Sequence, residues 1–125
     1  MDIGAEVALH SLKMFSKSHQ GKCLSEDTKL SADAELFKGV WVKYLGEFAV
    51  RLISERKSRF SKLSKYIFRM LQRTARILVE DKMNIKGEFS TYWCKNEPNQ
   101  FTTKGQISAI NLFMALDKIN KIISY

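Results

Sequence analysis

The residues of this chain that could do chemistry are few and scattered. Lys38 is the least expected of them. It follows Phe37 near the start of a long apolar stripe and precedes Gly39, in the run F-K-G. A glycine inside a helix weakens it by about 1 kcal/mol relative to alanine, so Gly39 reads as a point where another backbone or a ligand comes close. Two readings of Lys38 stand side by side: a solvated lysine beside a tight helix–helix contact, or an amine directed into a polar groove at the mouth of a helical bundle. Cys23 and Cys94 are the only cysteines. They are too far apart for metal-ligand spacing and too sparse for a disulfide framework, which predicts two free thiols. His10 and His19 have no partner at ligand spacing, so neither a metal site nor another cofactor is expected.

Positive charge is the one chemical feature present in bulk. The 125 residues carry a formal net charge of +8, and the segment 51–86 alone holds six arginines and five lysines against Glu55, Glu80 and Asp81. Arg59, Lys62, Arg69, Arg73 and Arg76 share one side of a helix, with Lys65 and Tyr66 at its border. Such a stripe can bind phosphates with a strong salt dependence or lie on acidic lipid. One bordering aromatic is thin material for base stacking. The expectation is therefore a solvated outer face and no nucleic-acid partner.

These residues need a scaffold, and the periodicity predicts an all-α one. With 45% apolar and 27% charged residues, one proline and six glycines, the chain can bury a core but lacks the turns of a β-sandwich. No apolar run approaches the roughly 18 residues of a membrane span. The first residues lack the basic start and apolar run of a signal peptide, and the compartment stays open.

Helices are predicted over 2–19, 33–53, 59–81 and 104–123. The first has Ile3, Val7, Ala8, Leu12 and Phe15 as its stripe, Asp2 as its cap and Gly21 at its end. A polar loop over 22–32 leads into the second helix, where Ser31 or Asp33 can cap and Glu35 suits the dipole. Its stripe of Leu36, Phe37, Val40, Trp41, Tyr44, Leu45, Phe48, Leu52 and Ile53 is wide enough to predict burial on more than one side. The third is the cleanest amphipathic helix, with Phe60, Leu63, Ile67, Met70, Leu71, Thr74, Ile77 and Leu78 opposite the basic face. Gly87, Asn96, Pro98 and Asn99 then break the period, with a brief extended piece at F-S-T-Y-W-C. Thr102 or Thr103 caps the last helix, whose apolar residues from Ile107 to Ile123 predict near-complete burial. The whole reads as a single unit, 1–125, of about four helices in antiparallel hairpins.

The order of segments resembles a known family. G-K-C-L-S-E, then D-A-E-L-F-K-G-V-W-V-K-Y-L, a basic amphipathic helix, G-E-F-S-T-Y-W and Q-I-S-A-I-N-L-F together resemble the C-terminal part of glycoside hydrolase family 76, the endo-α-1,6-mannanases. Phe37-Lys38-Gly39 with Tyr44-Leu45 is the most specific match; Gly87, Phe89, Trp93, Gln106, Ser108 and Ala109 support it. Lys22, Lys43 and Ile107 depart from the pattern without disturbing it.

The resemblance implies a partial (α/α)6 barrel of the six-hairpin glycosidase type. It also exposes an absence. The family's paired aspartates lie adjacent to one another, upstream of the F-K-G motif, and this chain has no Asp-Asp. Retaining hydrolysis needs two carboxyl groups about 5–5.5 Å apart across the scissile bond, and neither Glu26-Asp27 nor Glu80-Asp81 is placed for that. The implied role is a C-terminal portion of an α-mannanase, inactive as an isolated chain, that contributes substrate-binding residues. By position these are Glu26, Asp33 and Lys38, whose charged groups suit sugar hydroxyls, and Trp93, whose ring could stack on a pyranose. The implied partners are a mannan-type glycan and a complementing N-terminal barrel half or a second copy, because a partial barrel exposes apolar surface. Members of this family are commonly secreted or held in the cell envelope. Two other readings stay open: a nucleic-acid or anionic-surface binder built on the basic helix, and a small helical protein-interaction module.

Overall fold

The computed structural model describes residues 3–16, 24, 32–55, 58–94 and 99–123; at 3–5, 14–16, 32–35 and 58–61 it describes the backbone alone. Four α-helices make up the described regular structure: α1 (Ile3–Ser16), α2 (Ala32–Glu55), α3 (Ser58–Asp81) and α4 (Thr103–Ile123). Their bounds fall within a few residues of the apolar periodicity. The caps expected at Asp2, Gly21 and Ser31 lie outside the described residues, as does nearly all of the loop 22–32.

The start of α4 has a specific cause. Thr102 Oγ1 accepts the Gly105 N–H at 3.0 Å, satisfying one of the donors that a helix start leaves without an intrahelical partner. Thr102 is thus the cap, one of the two threonines expected.

α2 and α4 run parallel and in close contact. A Cβ placed on Gly39 would lie 2.6 Å from Ser108 Cα, and one on Gly46 would lie 2.6 Å from Ala115 Cβ. Both contacts advance by seven residues in the same sense, which sets the direction of the pair. Missing side chains at 39 and 46, with only Ser108 and Ala115 opposite, let the two backbones approach. Glu47 and Lys118 meet at 3.8 Å along the same seam, a half-exposed pair that contributes about 0–1 kcal/mol.

α3 returns antiparallel to both, with Leu52 packed on Leu63 beside the α2–α3 connection. It presents Ile67, Met70, Leu71, Thr74 and Leu78 inward, all buried. Thr74 is accommodated because its hydroxyl donates to the Met70 carbonyl at 2.9 Å. α1 adds Ala8 and Leu12 to the same core and touches α3. The result is two layers, with α2 and α4 in one and α1 and α3 in the other.

Three expectations need correction. The aromatic stripe of α2 is not buried as a whole: Phe37, Val40 and Tyr44 are exposed, and Val42, Leu45, Ala49 and Leu52 form the buried face. Contact through glycines draws α4 against the small-residue side and leaves the aromatic side outward. α4 is likewise only half covered, with Ile107, Ile110 and Met114 exposed. Cys94 is no free thiol. It is disulfide-bonded, and Cys23, the other cysteine of the sequence, lies outside the described residues. Buried Leu24 has its carbonyl 3.6 Å from Cys94 Sγ, so the chain beside Cys23 reaches this sulfur. A disulfide sulfur has no proton to give, and that approach is a packing contact.

Candidate functional site

The N-terminal ends of α2 and α4 lie at the same end of the molecule because the helices are parallel. Residues 82–94 and 99–102 lie at that end and are sewn to both helices. The segment begins as a tight reversal closed by an antiparallel bridge between Met83 and Phe89. Within it, Asn84 N–H donates to the Glu88 carbonyl at 2.9 Å and Gly87 N–H to the Asn84 carbonyl at 3.0 Å. Gly87 sits at φ 82°, a left-handed conformation that favours glycine. Asn84 Oδ1 accepts the Glu88 N–H at 2.9 Å and its Nδ2 donates to Glu88 Oε1 at 2.9 Å, so this carboxylate is engaged in the turn.

α4 holds the returning strand through one side chain. Gln106 Oε1 accepts the Phe89 N–H at 2.7 Å, and Gln106 Nε2 donates to the Phe89 carbonyl at 2.6 Å. An amide side chain here completes the pairing that a neighbouring strand would otherwise supply. The Phe89 ring packs on Phe113 at 5.1 Å between centroids, tilted by 48°. One residue on, Ser90 Oγ accepts the N–H groups of Tyr92 and Gln100, each at 3.2 Å. The Thr91 N–H donates to the Gln100 carbonyl at 2.7 Å, and the Thr91 and Thr102 hydroxyls share a hydrogen bond of 3.0 Å.

α2 reaches the same segment through Lys38. Its Nζ donates to the Thr91 carbonyl at 2.8 Å and stands 4.2 Å from the centroid of the Trp93 ring. Lys38 is 4% exposed and Trp93 0%. A desolvated ammonium on an indole face is worth about 2 kcal/mol or more, and the carbonyl supplies a charge-assisted hydrogen bond. Cys94 follows Trp93 directly, so the disulfide anchors the same spot.

The four residues expected to contact sugar are thus placed as follows. Lys38 and Trp93 come together, but in the interior. Lys38 is neither a solvated lysine nor an amine in an open groove, and the Trp93 face that would stack on a pyranose carries the Lys38 ammonium instead. The physical reason is the close α2–α4 contact at Gly39, which turns the neighbouring Lys38 inward against Thr91 and Trp93. Asp33 lies in the first turn of α2, five residues before Lys38 at the same end; its side chain lies outside the described residues. Glu26 lies outside them altogether.

Three organising residues carried no structural role in the expectations from sequence: Ser90, Thr91 and Gln106. Gln106 and Thr102 stand together in T-T-K-G-Q, a helix start with an amide in its first turn. That signal marks a cap, not which backbone the amide will hold. Among the described residues no group of three or more His, Cys, Asp or Glu side chains is placed to hold a metal, and no helix is long and apolar enough to cross a membrane. No family model, curated protein or solved structure matches the chain.

Proposed function

We propose that this chain forms the C-terminal wall of an α-1,6-mannanase of the glycoside hydrolase family 76 kind, binding mannan-type glycan without hydrolysing it alone. The observation that carries the reading is the joining of the F-K-G motif to the G-E-F-S-T-Y-W motif through Lys38 and Trp93. The first is the stretch most specific to the family and the second supports it, and they meet at the end where α2 and α4 begin. Two parallel helices backed by two others is also the arrangement that a ring of helical hairpins repeats. In this reading Lys38 and Trp93 are positioning residues, and Asp33 and Glu26 present carboxylates to sugar hydroxyls. The nucleophile and the acid/base residue belong to a preceding part of the barrel.

Titration of α-1,6-linked mannooligosaccharides, followed by amide chemical shifts, tests this. Expected are perturbations clustered around the starts of α2 and α4, weakened in Asp33→Ala, with no release of reducing sugar. A folded chain that shows no shifts at millimolar sugar would sink the proposal.

A second reading draws on a different observation. Lys62, Lys65, Arg69, Arg73 and Arg76 are all exposed on α3, and among the described residues none of them has a carboxylate within 4 Å. An unneutralised row of this kind suits an anionic polymer or surface. Elution from heparin at a salt concentration that falls sharply in a Lys65→Glu/Arg69→Glu/Arg73→Glu variant would favour it over the glycan reading.

A further inference from the structure

We infer that the α3 side of this chain docks on an anionic lipid surface, the basic row making the charge contact and Ile85 entering the headgroup layer. The inference rests on the second reading above, that the row meets an anionic partner, and names that partner.

The row is straight and unbroken. Lys62, Arg69 and Arg76 recur every seven residues, with Lys65 and Arg73 beside them. At 1.5 Å per residue the five span about 21 Å of one helix side. The sequence contains no Asp or Glu between Lys62 and Arg76.

Beyond Arg76 the same ridge turns apolar. Val79 follows Arg76 by three residues and Met83 by seven, the spacing that keeps side chains on one helix side. The Lys82 N–H donates to the Leu78 carbonyl at 3.2 Å, which carries the helical turn to the residue before Met83. Val79 and Met83 are each about half exposed. The chain then reverses through Ile85 and Lys86, the two central residues of the turn closed between Asn84 and Gly87. Ile85 is fully exposed, and Lys86 is exposed beside it.

This turn holds its tip outward. Asn84 and Glu88 are joined by three hydrogen bonds, one between backbone groups and two through the Asn84 amide. Ile85 therefore gives nothing to the core, although removing such a side chain from water is among the larger apolar gains a single residue can make. A lone exposed apolar residue is ordinary on a protein surface. What sets Ile85 apart is its place between Met83 and Lys86, at the end of an uninterrupted cationic row.

Reversible attachment to a membrane surface takes two signals, an apolar group that enters the interface and a basic patch that meets acidic headgroups. The ridge carries both. Nucleic acid fits it less well. Tyr66, the aromatic bordering the row, is partly buried, which leaves little to stack on bases, and phosphate contacts give no role to a protruding aliphatic turn. Glu80 and Asp81 are exposed where the row meets the turn, so the attraction falls on residues 62–76 and the apolar entry on Ile85.

Flotation of the intact chain with vesicles tests the inference. Phosphatidylcholine alone is compared with phosphatidylcholine carrying about 30% phosphatidylserine, at about 0.15 M salt. The chain should float with the anionic vesicles only, and about 1 M salt should release it. Ile85→Ser should weaken vesicle binding about tenfold and leave elution from heparin unchanged. Lys65→Glu/Arg69→Glu/Arg73→Glu should weaken both. Ile110→Ser, at an apolar residue exposed on α4, should leave vesicle binding as it is, and helical circular dichroism should be the same for all variants. Retention on heparin or duplex DNA without vesicle binding overturns the inference and leaves the second reading standing. Failure to bind either sinks both. Equal binding to phosphatidylcholine alone, or vesicle binding that Ile85→Ser leaves unchanged, also overturns the inference.

Discussion

The Lys38 ammonium rests 4.2 Å from the centroid of the buried Trp93 ring, joining residues 55 positions apart in the chain. It is the contact by which α2 holds the segment lying across its N-terminal end. Lys38→Ala removes the cation and leaves a void, and should lower unfolding stability by about 2–4 kcal/mol. Trp93→Phe keeps an aromatic face and should lose less. A double-mutant cycle between the two positions should give a coupling of about 1–2 kcal/mol in chemical denaturation. Additive effects would mean that the contact contributes nothing of its own.

The parallel pair depends on absent side chains. Gly46→Ala improves helix propensity by about 1 kcal/mol, yet its Cβ would fall 2.6 Å from that of Ala115. The helices would have to part, and overpacking of this kind typically destabilises by about 1–3 kcal/mol. Adding Ala115→Gly removes the opposing methyl and should recover most of the loss in thermal denaturation. A stabilised single variant would show that the seam is looser than described.

Gln106 holds Phe89 at both its N–H and its carbonyl. Gln106→Leu leaves those backbone groups without the amide and should cost about 1–3 kcal/mol. Gln106→Glu still accepts the N–H but can no longer donate to the carbonyl, and should fall between wild type and leucine. Hydrogen exchange at the Phe89 amide should accelerate in the same order.

The disulfide at Cys94 closes a long loop if its partner sulfur is that of Cys23, the only other cysteine. Restricting the unfolded chain by a loop of this length is worth about 4 kcal/mol in the chain-entropy account. Reduction should therefore lower the melting temperature well beyond the effect of reductant on a Cys94→Ser variant. Mass spectrometry of the unreduced chain should find both thiols blocked.

Helix existence and extent were legible in the residues themselves. The alternation of apolar and polar positions in α3 marks its buried and basic faces, and Thr102 announces the start of α4 before any neighbour is known. The candidate site was legible only in part. Lys38 and Gly39 stood out as an unusual pair, yet nothing local indicated that the lysine would turn inward. Its placement depends on Ser108 and Trp93, both more than 50 residues away.

Periodicity along one chain reports which side chains share a helix face, because 3.6 residues make a turn wherever the helix lies. The sequence alone therefore determined four helices, their bounds and the basic side of α3. Which of two apolar faces is covered depends on how closely another helix can approach, and that was decided by Gly39 and Gly46 meeting Ser108 and Ala115. The same contact drew the small-residue side of α2 inward and left Phe37, Val40 and Tyr44 outside. It also brought Lys38 beneath Trp93. These outcomes are properties of the packed pair of helices, and neither helix carries them by itself.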